Sequence, residues 1–169
     1  MNPYKIEGPA LISFSGGRTS AFMLKQIIDA HGGTLPDDIY VTFANTGKEM
    51  PETLDFVQAC SEHWGVKVHW LELEMADERP VYRTKEVTYE TASRDGKPFE
   101  ALIERRSYLP NPVTRFCTTE MKVQRMRDFM WKMKGYKHWD NVLGLRYDEP
   151  RRVSSSRNKK ERWENVMPM

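Results

Sequence analysis

Residues 10–20, Ala-Leu-Ile-Ser-Phe-Ser-Gly-Gly-Arg-Thr-Ser, constrain this chain more than any other stretch, because an apolar run enters a Ser-Gly-Gly turn and leaves it as a helix. Gly16 and Gly17 open backbone angles closed to other residues and let the main chain come close to a ligand. The helix that follows directs its unpaired first N–H groups, and the positive end of its dipole, at the turn. Ser13 and Ser15 before the turn, and Thr19 and Ser20 after it, set hydroxyls around the same point. Such a turn is a pocket for phosphate. A ligand-free tight turn is the alternative, and Gly-Gly alone would favour it; the flanking hydroxyls and the strand-then-helix order favour phosphate. Neither Gly-x-x-x-x-Gly-Lys-Ser/Thr nor Gly-x-Gly-x-x-Gly occurs, so the P-loop and dinucleotide fingerprints do not apply.

The rest of the chain repeats the strand–helix alternation. Ala10–Phe14 reads as a buried central strand, and Thr19 to Ala30 as a helix with Ala21, Leu24, Ile27 and Ile28 on one face, stopped by His31-Gly32-Gly33. Ile39–Ala44 is a second β-rich run. Pro51 suits a first helical turn, and Leu54, Val57, Cys60 and Trp64 line a face as far as Gly65. Val66–Leu73 reads as a third strand. This order implies right-handed crossovers and a parallel sheet covered on both sides. The length, 169 residues, suits a single domain.

The pattern breaks between Glu74 and Pro112, a polar stretch expected to be an insertion or cap over the site with short elements such as Phe99–Arg105. Beyond it, Thr118 is placed to cap a helix with Val123, Met126, Met130 and Met133 on its core face. Asn141–Leu145 is a fourth strand, and the run from Arg151 to Arg162 is basic and serine-rich, a solvated tail or a cover for phosphates. The ending at Asn165–Met169, with no closing helix, leads us to expect a truncated or minimal version.

Composition excludes little. Hydrophobic residues make up 39% and the net charge is +2, which points neither toward nor away from nucleic acid. No apolar run is long enough for a membrane span and no signal-peptide pattern opens the chain. Two cysteines, Cys60 and Cys117, are expected as reduced thiols in a cytoplasm.

Four blocks stand in fixed order: Ser-Phe-Ser-Gly-Gly-Arg-Thr-Ser at 13–20, Asn-Thr-Gly-Lys-Glu-Met-Pro-Glu-Thr at 45–53, Arg-Phe-Cys-Thr-Thr-Glu-Met-Lys at 115–122 and Gly-Leu-Arg-Tyr-Asp-Glu-Pro-Arg-Arg at 144–152. Together they resemble the phosphoadenosine phosphosulfate reductase family of the PP-loop superfamily, in the form carried by phages and prophages. The resemblance implies a Rossmann-like α/β fold, a parallel sheet with helices on both faces, and an adenine nucleotide across the carboxyl ends of the strands. Ser15, Gly16, Gly17, Arg18, Thr19 and Ser20 would hold phosphate; Asn45, Thr46 and Gly47 would face adenosine. Gly144 and Arg146 match the later strand-end motif, whose arginine would grip a phosphate or sulfate oxygen, and Arg115 and Lys122 would complete a cationic pocket. A surface pair with Asp148 or Glu149 is the alternative for Arg146. Arg146, Lys122 and Cys117 are the catalytic candidates; for Cys117 an inert thiol is the alternative.

Two departures limit the transfer. The loop pattern usually carries Asp where this chain has Thr19, which puts Mg²⁺ use in doubt. No cysteine follows Cys117, so the C-terminal nucleophile of the reductases and the cysteines of an iron–sulfur version are both missing from this chain. Reductase activity is therefore not expected. The leading expectation is an ATP-using, adenylating transferase with an unknown acceptor, a nucleic acid being one option. The alternatives are a binder of the sulfated nucleotide that relies on Cys117 or a further C-terminal segment, and a non-catalytic nucleotide-binding accessory protein. If phage-encoded, it would act in the bacterial cytoplasm.

Overall fold

The computed structural model describes residues 1–146, 148–149, 151–152 and 161–169. Tyr147 and Pro150 of the fourth block, and the serine-rich run at 153–160, lie outside the described residues.

Six strands form one sheet in the order β4-β3-β2-β1-β5-β6. They are β1 (Ala10–Ser13), β2 (Ile39–Asn45), β3 (Val68–Met75), β4 (Tyr82–Val87), β5 (Trp139–Leu143) and β6 (Trp163–Val166). All neighbouring pairs are parallel except β3 with β4. Ala10, Leu11 and Ile12 of β1 are fully buried, as befits a central parallel strand covered on both faces. The chain winds outward from β1 through β2 and β3, then returns to place β5 on the other side of β1. The sheet therefore has its topological switch point between β1 and β5, where ligands of such sheets collect at the carboxyl ends.

Helices α1 (Arg18–Ala30) and α2 (Pro51–Trp64) cover one face, packing Met23, Leu24, Ile27, Leu54 and Val57 against Ile12, Val41, Phe43 and Trp70. Pro51 stands at the start of α2, and Gly65 ends it in the left-handed conformation (φ 62°). The other face carries α3 (Lys97–Arg106) and a long helix, α4, over 116–133, which meet Leu11, Leu71 and Leu73. Helix α4 is not uniform: Phe116–Thr118 and Gln124–Asp128 are α-helical, while Thr119–Val123 and Phe129–Met133 are π-helical. Asp128 of α4 accepts a hydrogen bond from Thr84 of β4 (3.1 Å), which ties the helix to the edge strand.

Three expectations need correction. The break at 74–112 is more ordered than an insertion loop: Glu74 and Met75 extend β3, and Tyr82–Val87 forms β4 antiparallel to it. The last residues hold a strand, since Trp163–Val166 pairs with β5. Met133 is 44% exposed, not core, because a π turn winds more residues than an α turn and rotates the helix face away from a 3.6-residue register.

His69 on β3 is buried, its Nδ1 2.6 Å from Glu86 Oε1 on β4. Desolvation lowers its pKa, with Glu86 opposing, so the folded ring stays neutral where the unfolded ring takes up a proton. The unfolded state then binds more protons just below the unfolded value of about 6.5. Stability rises with pH through that window and falls on acidification. Unfolding free energies from urea titrations between pH 5 and 7 are expected to climb, by at most ~1.4 kcal/mol per pH unit for the one proton, and His69→Gln is expected to flatten the climb.

Candidate nucleotide site

The Ser-Gly-Gly turn is held by its own serines. Ser20, nearly buried, donates its hydroxyl to the Gly17 carbonyl (3.0 Å), so it accepts from both the Ser15 N–H (3.2 Å) and the Ser15 hydroxyl (2.9 Å). Gly16 takes φ +76°, and Gly17 caps α1 in extended conformation without any side-chain cap. The first helical bond runs from the Ala21 N–H to the Gly17 carbonyl, which leaves the N–H groups of Arg18, Thr19 and Ser20 without a helical acceptor. The first turn of α1 has no acidic residue, and Arg18 stands there exposed. A cation at the positive end of a dipole is unfavourable by itself and becomes favourable beside an anion.

A cavity of about 580 Å³ lies beside the turn at the switch point; Ser15 lines it, while Gly16, Gly17, Arg18, Thr19 and Ser20, like Asn45, Thr46 and Gly47, lie outside its lining. Its floor is the α4-facing side of β1, β5 and β6, its wall is the first half of α4, and its rim is Ser15 with Arg151, Arg152 and Glu161. Among the described residues Arg115, Lys122, Arg127, Arg151 and Arg152 line it with one carboxylate, Glu161; Glu149 pairs with Arg152 and Glu49 stands beside Lys122 from outside the lining, which leaves cations in excess for an anion. Ser13 lines it as well. Lys122, in the first π-helical segment, lies 3.6 Å from Glu49, which in turn accepts from Thr46 Oγ1 (3.2 Å). The second block thus steadies the lysine of the third.

Asn45, fully buried, fixes the neighbouring loop. Its amide donates to Glu72 Oε2 (2.6 Å) and to the Ser93 carbonyl (2.8 Å), while Ser93 N–H donates to the same Glu72 oxygen (2.7 Å). Gly47, at φ +81°, lies under Ser93 and Gly96. This network pins the loop before α3 over the ends of β2 and β3, and no residue of 74–112 lines the cavity.

Among the other candidates, Gly144 ends β5 against α1, and a Cβ there would stand 3.1 Å from Ser20 Cα. Arg146 is exposed, its Nε bonded to Asp148 (3.0 Å), and is not part of the cavity lining. Cys117 is a half-buried free thiol on the first turn of α4. Among the described residues no group of three or more His, Cys, Asp or Glu side chains stands arranged to hold a metal. Among them also, no helix is long and apolar enough to cross a membrane.

The sequence reading missed the floor. Trp139-Asp140-Asn141-Val142 and Trp163-Glu164-Asn165-Val166 are near-copies of one tetrapeptide, and they pair residue for residue as β5 and β6. On the cavity side this stacks Trp139 on Trp163 (centroids 5.5 Å, 24° between planes) and joins Asn141 Nδ2 to Asn165 Oδ1 (3.1 Å). On the opposite side Asp140 meets Glu164; burial, then that neighbouring charge, pushes Asp140 up. The repeat itself was the available signal.

The model of the phosphoadenosine phosphosulfate reductase domain matches residues 9–168. An uncharacterized nin region protein, ORF290, of Escherichia phage lambda is 28% identical over 149 residues, 85% of this chain and 50% of that protein. The uncharacterized protein MJ0066 of Methanocaldococcus jannaschii is 39% identical over 64 residues, 38% of this chain and 12% of its own. This chain thus spans half or less of the length of these curated relatives. With the sheet order, the glycine turn and the cationic cavity in agreement, the chain belongs to the phosphoadenosine phosphosulfate reductase domain family.

Proposed function

We propose that the chain binds an adenine nucleotide with its phosphates on the 15–20 turn and adenosine toward Asn45, Thr46 and Gly47, and that it adenylates an acceptor with ATP. The observation that carries this reading is the uncapped, acid-free start of α1 directly after Ser15, which lines a cavity shared with Arg115 and Lys122. In the reaction an acceptor oxygen bonds to the α-phosphorus, the bond to the bridging oxygen breaks, and pyrophosphate leaves with the electron pair. The free N–H groups of the turn, Arg18, Arg115 and Lys122 would neutralise the charge that grows on the leaving group. Arg146 would join them on releasing Asp148.

Calorimetric titration with ATP and with phosphoadenosine phosphosulfate, each with and without Mg²⁺, tests this together with an assay of pyrophosphate release. Tighter binding of ATP is expected. Arg115→Ala and Lys122→Ala should each weaken it ten- to hundredfold, the ~1.5–3 kcal/mol of a lost hydrogen bond to a charged group. Failure of both nucleotides to bind would sink the proposal. A second reading keeps the sulfated nucleotide, with sulfur chemistry at Cys117, because that thiol lies on the same helical turn as the cationic wall. Under it, Cys117→Ser loses turnover and keeps binding; pyrophosphate release that is indifferent to Cys117→Ser excludes it.

A further inference from the structure

The strand pair β5–β6 lies across β1 from β2, on the far side of the cavity from the Asn45 turn where adenosine is proposed to sit. A ligand on the 15–20 turn with its sugar toward β2 leaves this floor for a second molecule. Its chemistry is specific: a partly exposed tryptophan ring backed by a buried one, next to a pair of joined side-chain amides. An aromatic face beside an amide is the combination that holds a planar heteroaromatic ring, stacked on one side and read along its edge. The bond to Asn165 uses Asn141 Nδ2 and leaves Asn141 Oδ1 with no partner among the described residues, an acceptor for an exocyclic amine.

The wall beside the floor is cationic over a length that one nucleotide does not need. Arg115 at the start of α4, Lys122 in its first π-helical segment and Arg127 beyond it are spread over about three turns. Arg127 lies over the face of Trp131 (5.5 Å to the centroid) with Asp128 at 3.8 Å, and Arg162, which precedes β6, stacks on the same ring (4.0 Å) just outside the cavity lining. Cations spaced along a groove with an aromatic platform inside it are the arrangement that binds a single strand, phosphates along the wall and a base on the ring.

We infer that the floor is an acceptor subsite for a nucleobase of a single-stranded nucleic acid, with Trp163 as its stacking platform, Asn141 as its edge reader and Arg127 as its far phosphate contact. This deepens the proposed function by naming the acceptor class, and it rests on the reading of the 15–20 turn as the nucleotide's phosphate site. The in-register repeat explains itself on this view: two copies of one tetrapeptide build a matched pair of rings and a matched pair of amides at the one place where they line the cavity.

The test is fluorescence anisotropy with a labelled short mixed-sequence single-stranded DNA, the RNA of the same sequence and four homopolymer strands, one for each base, beside calorimetry with ATP and with cytidine monophosphate. The whole 169-residue chain is used in four forms: wild type, Trp163→Ala, Trp163→Phe and Asn141→Leu. Trp163→Ala is expected to weaken strand binding by roughly tenfold or more, the effect of losing one base–aromatic stack, while Trp163→Phe keeps most of it. Asn141→Leu, similar in volume, should lose discrimination among bases and leave ATP affinity within about twofold. If Trp163→Ala fails to fold, the Phe and Leu variants still decide. Strand binding indifferent to all three overturns the inference, as does a loss of ATP affinity equal to the loss of strand affinity, which would assign the floor to adenosine. Binding of cytidine monophosphate as tight as that of the strand would overturn the strand and leave a mononucleotide site. A wild type that binds strand but not ATP removes the function proposed above and leaves this floor standing.

Discussion

Gly16→Ala is expected to destabilise the protein by about 2–3 kcal/mol and to abolish nucleotide binding, whereas Gly17→Ala leaves stability within ~0.5 kcal/mol of wild type. Two independent effects add at Gly16. Its φ of +76° lies in the left-handed region, which costs a residue with a Cβ about 1–2 kcal/mol. That Cβ would also stand 2.6 Å from Thr53 Cγ2 and 3.1 Å from Val57 Cγ2 on α2, and Val57 is fully buried and has nowhere to go. Either α2 yields or the turn does, and the turn is the less constrained of the two. Gly17 has φ −92°, and its nearest neighbour would be Ser15 Oγ at 3.6 Å, so alanine fits. Thermal unfolding with calorimetric titration separates the cases. Thr53→Ser in the Gly16→Ala background removes the methyl that clashes and should recover part of the stability, not the part owed to φ. Equal stability of the two alanine variants would refute the assignment of strain to Gly16. A loss of binding in Gly17→Ala at full stability would instead report how near the phosphate comes.

Asn45→Asp is expected to be nearly as damaging, for a different reason. The amide of Asn45 is a donor to Glu72 Oε2 at 2.6 Å, and both residues are buried. Aspartate turns that donor into a second carboxylate facing the first, and it deprives the Ser93 carbonyl of its partner as well. Breaking a buried, compensated arrangement of this kind costs about 3–5 kcal/mol, a large part of the stability of a domain this size. The damage should shrink as pH falls, because two carboxyls at hydrogen-bond distance can share one proton. Glu72→Gln keeps an oxygen to accept from Asn45 and Ser93 and should lose only about 1 kcal/mol. Urea midpoints at pH 7 and pH 5 for the three proteins check this; an Asn45→Asp midpoint equal to that of wild type at pH 7 would refute it.

The parts of the fold that sequence made legible are those where one rule dominates. A continuous apolar run gave β1, the 3.6-residue spacing of Leu24, Ile27 and Ile28 gave α1, and Pro51 and Gly65 bracket α2 within a residue. Strand β4 was invisible because Tyr-Arg-Thr-Lys-Glu-Val is an edge strand whose exposed side is charged, so it resembles a loop. Strand β6 is only four residues long and follows a basic, serine-rich run, so it was detectable only by comparing it with β5. The π turns of α4 break the periodicity on which the reading of Met133 relied. At the site, the local motif of 13–20 was readable because its geometry is built from neighbours in the chain. The partners of Asn45, and the facing of Asn141 and Trp163 into one cavity, depend on residues 24 or more positions apart, which no local pattern encodes.

Gly144 and Ser20 meet almost backbone to backbone, the end of β5 resting on the first turn of α1. A joint without side chains has no rotamer with which to absorb a displacement. Whatever draws the start of α1 toward a bound phosphate must therefore carry the rim and floor built on β5 with it, and a molecule seated on that floor must act back on the turn. By thermodynamic reciprocity the two affinities are one coupling read from either end, so an occupied floor should alter the grip on phosphate by the same factor as phosphate alters the grip on the floor. Broadening the joint, as Gly144→Ala does, would uncouple the two before it disabled either.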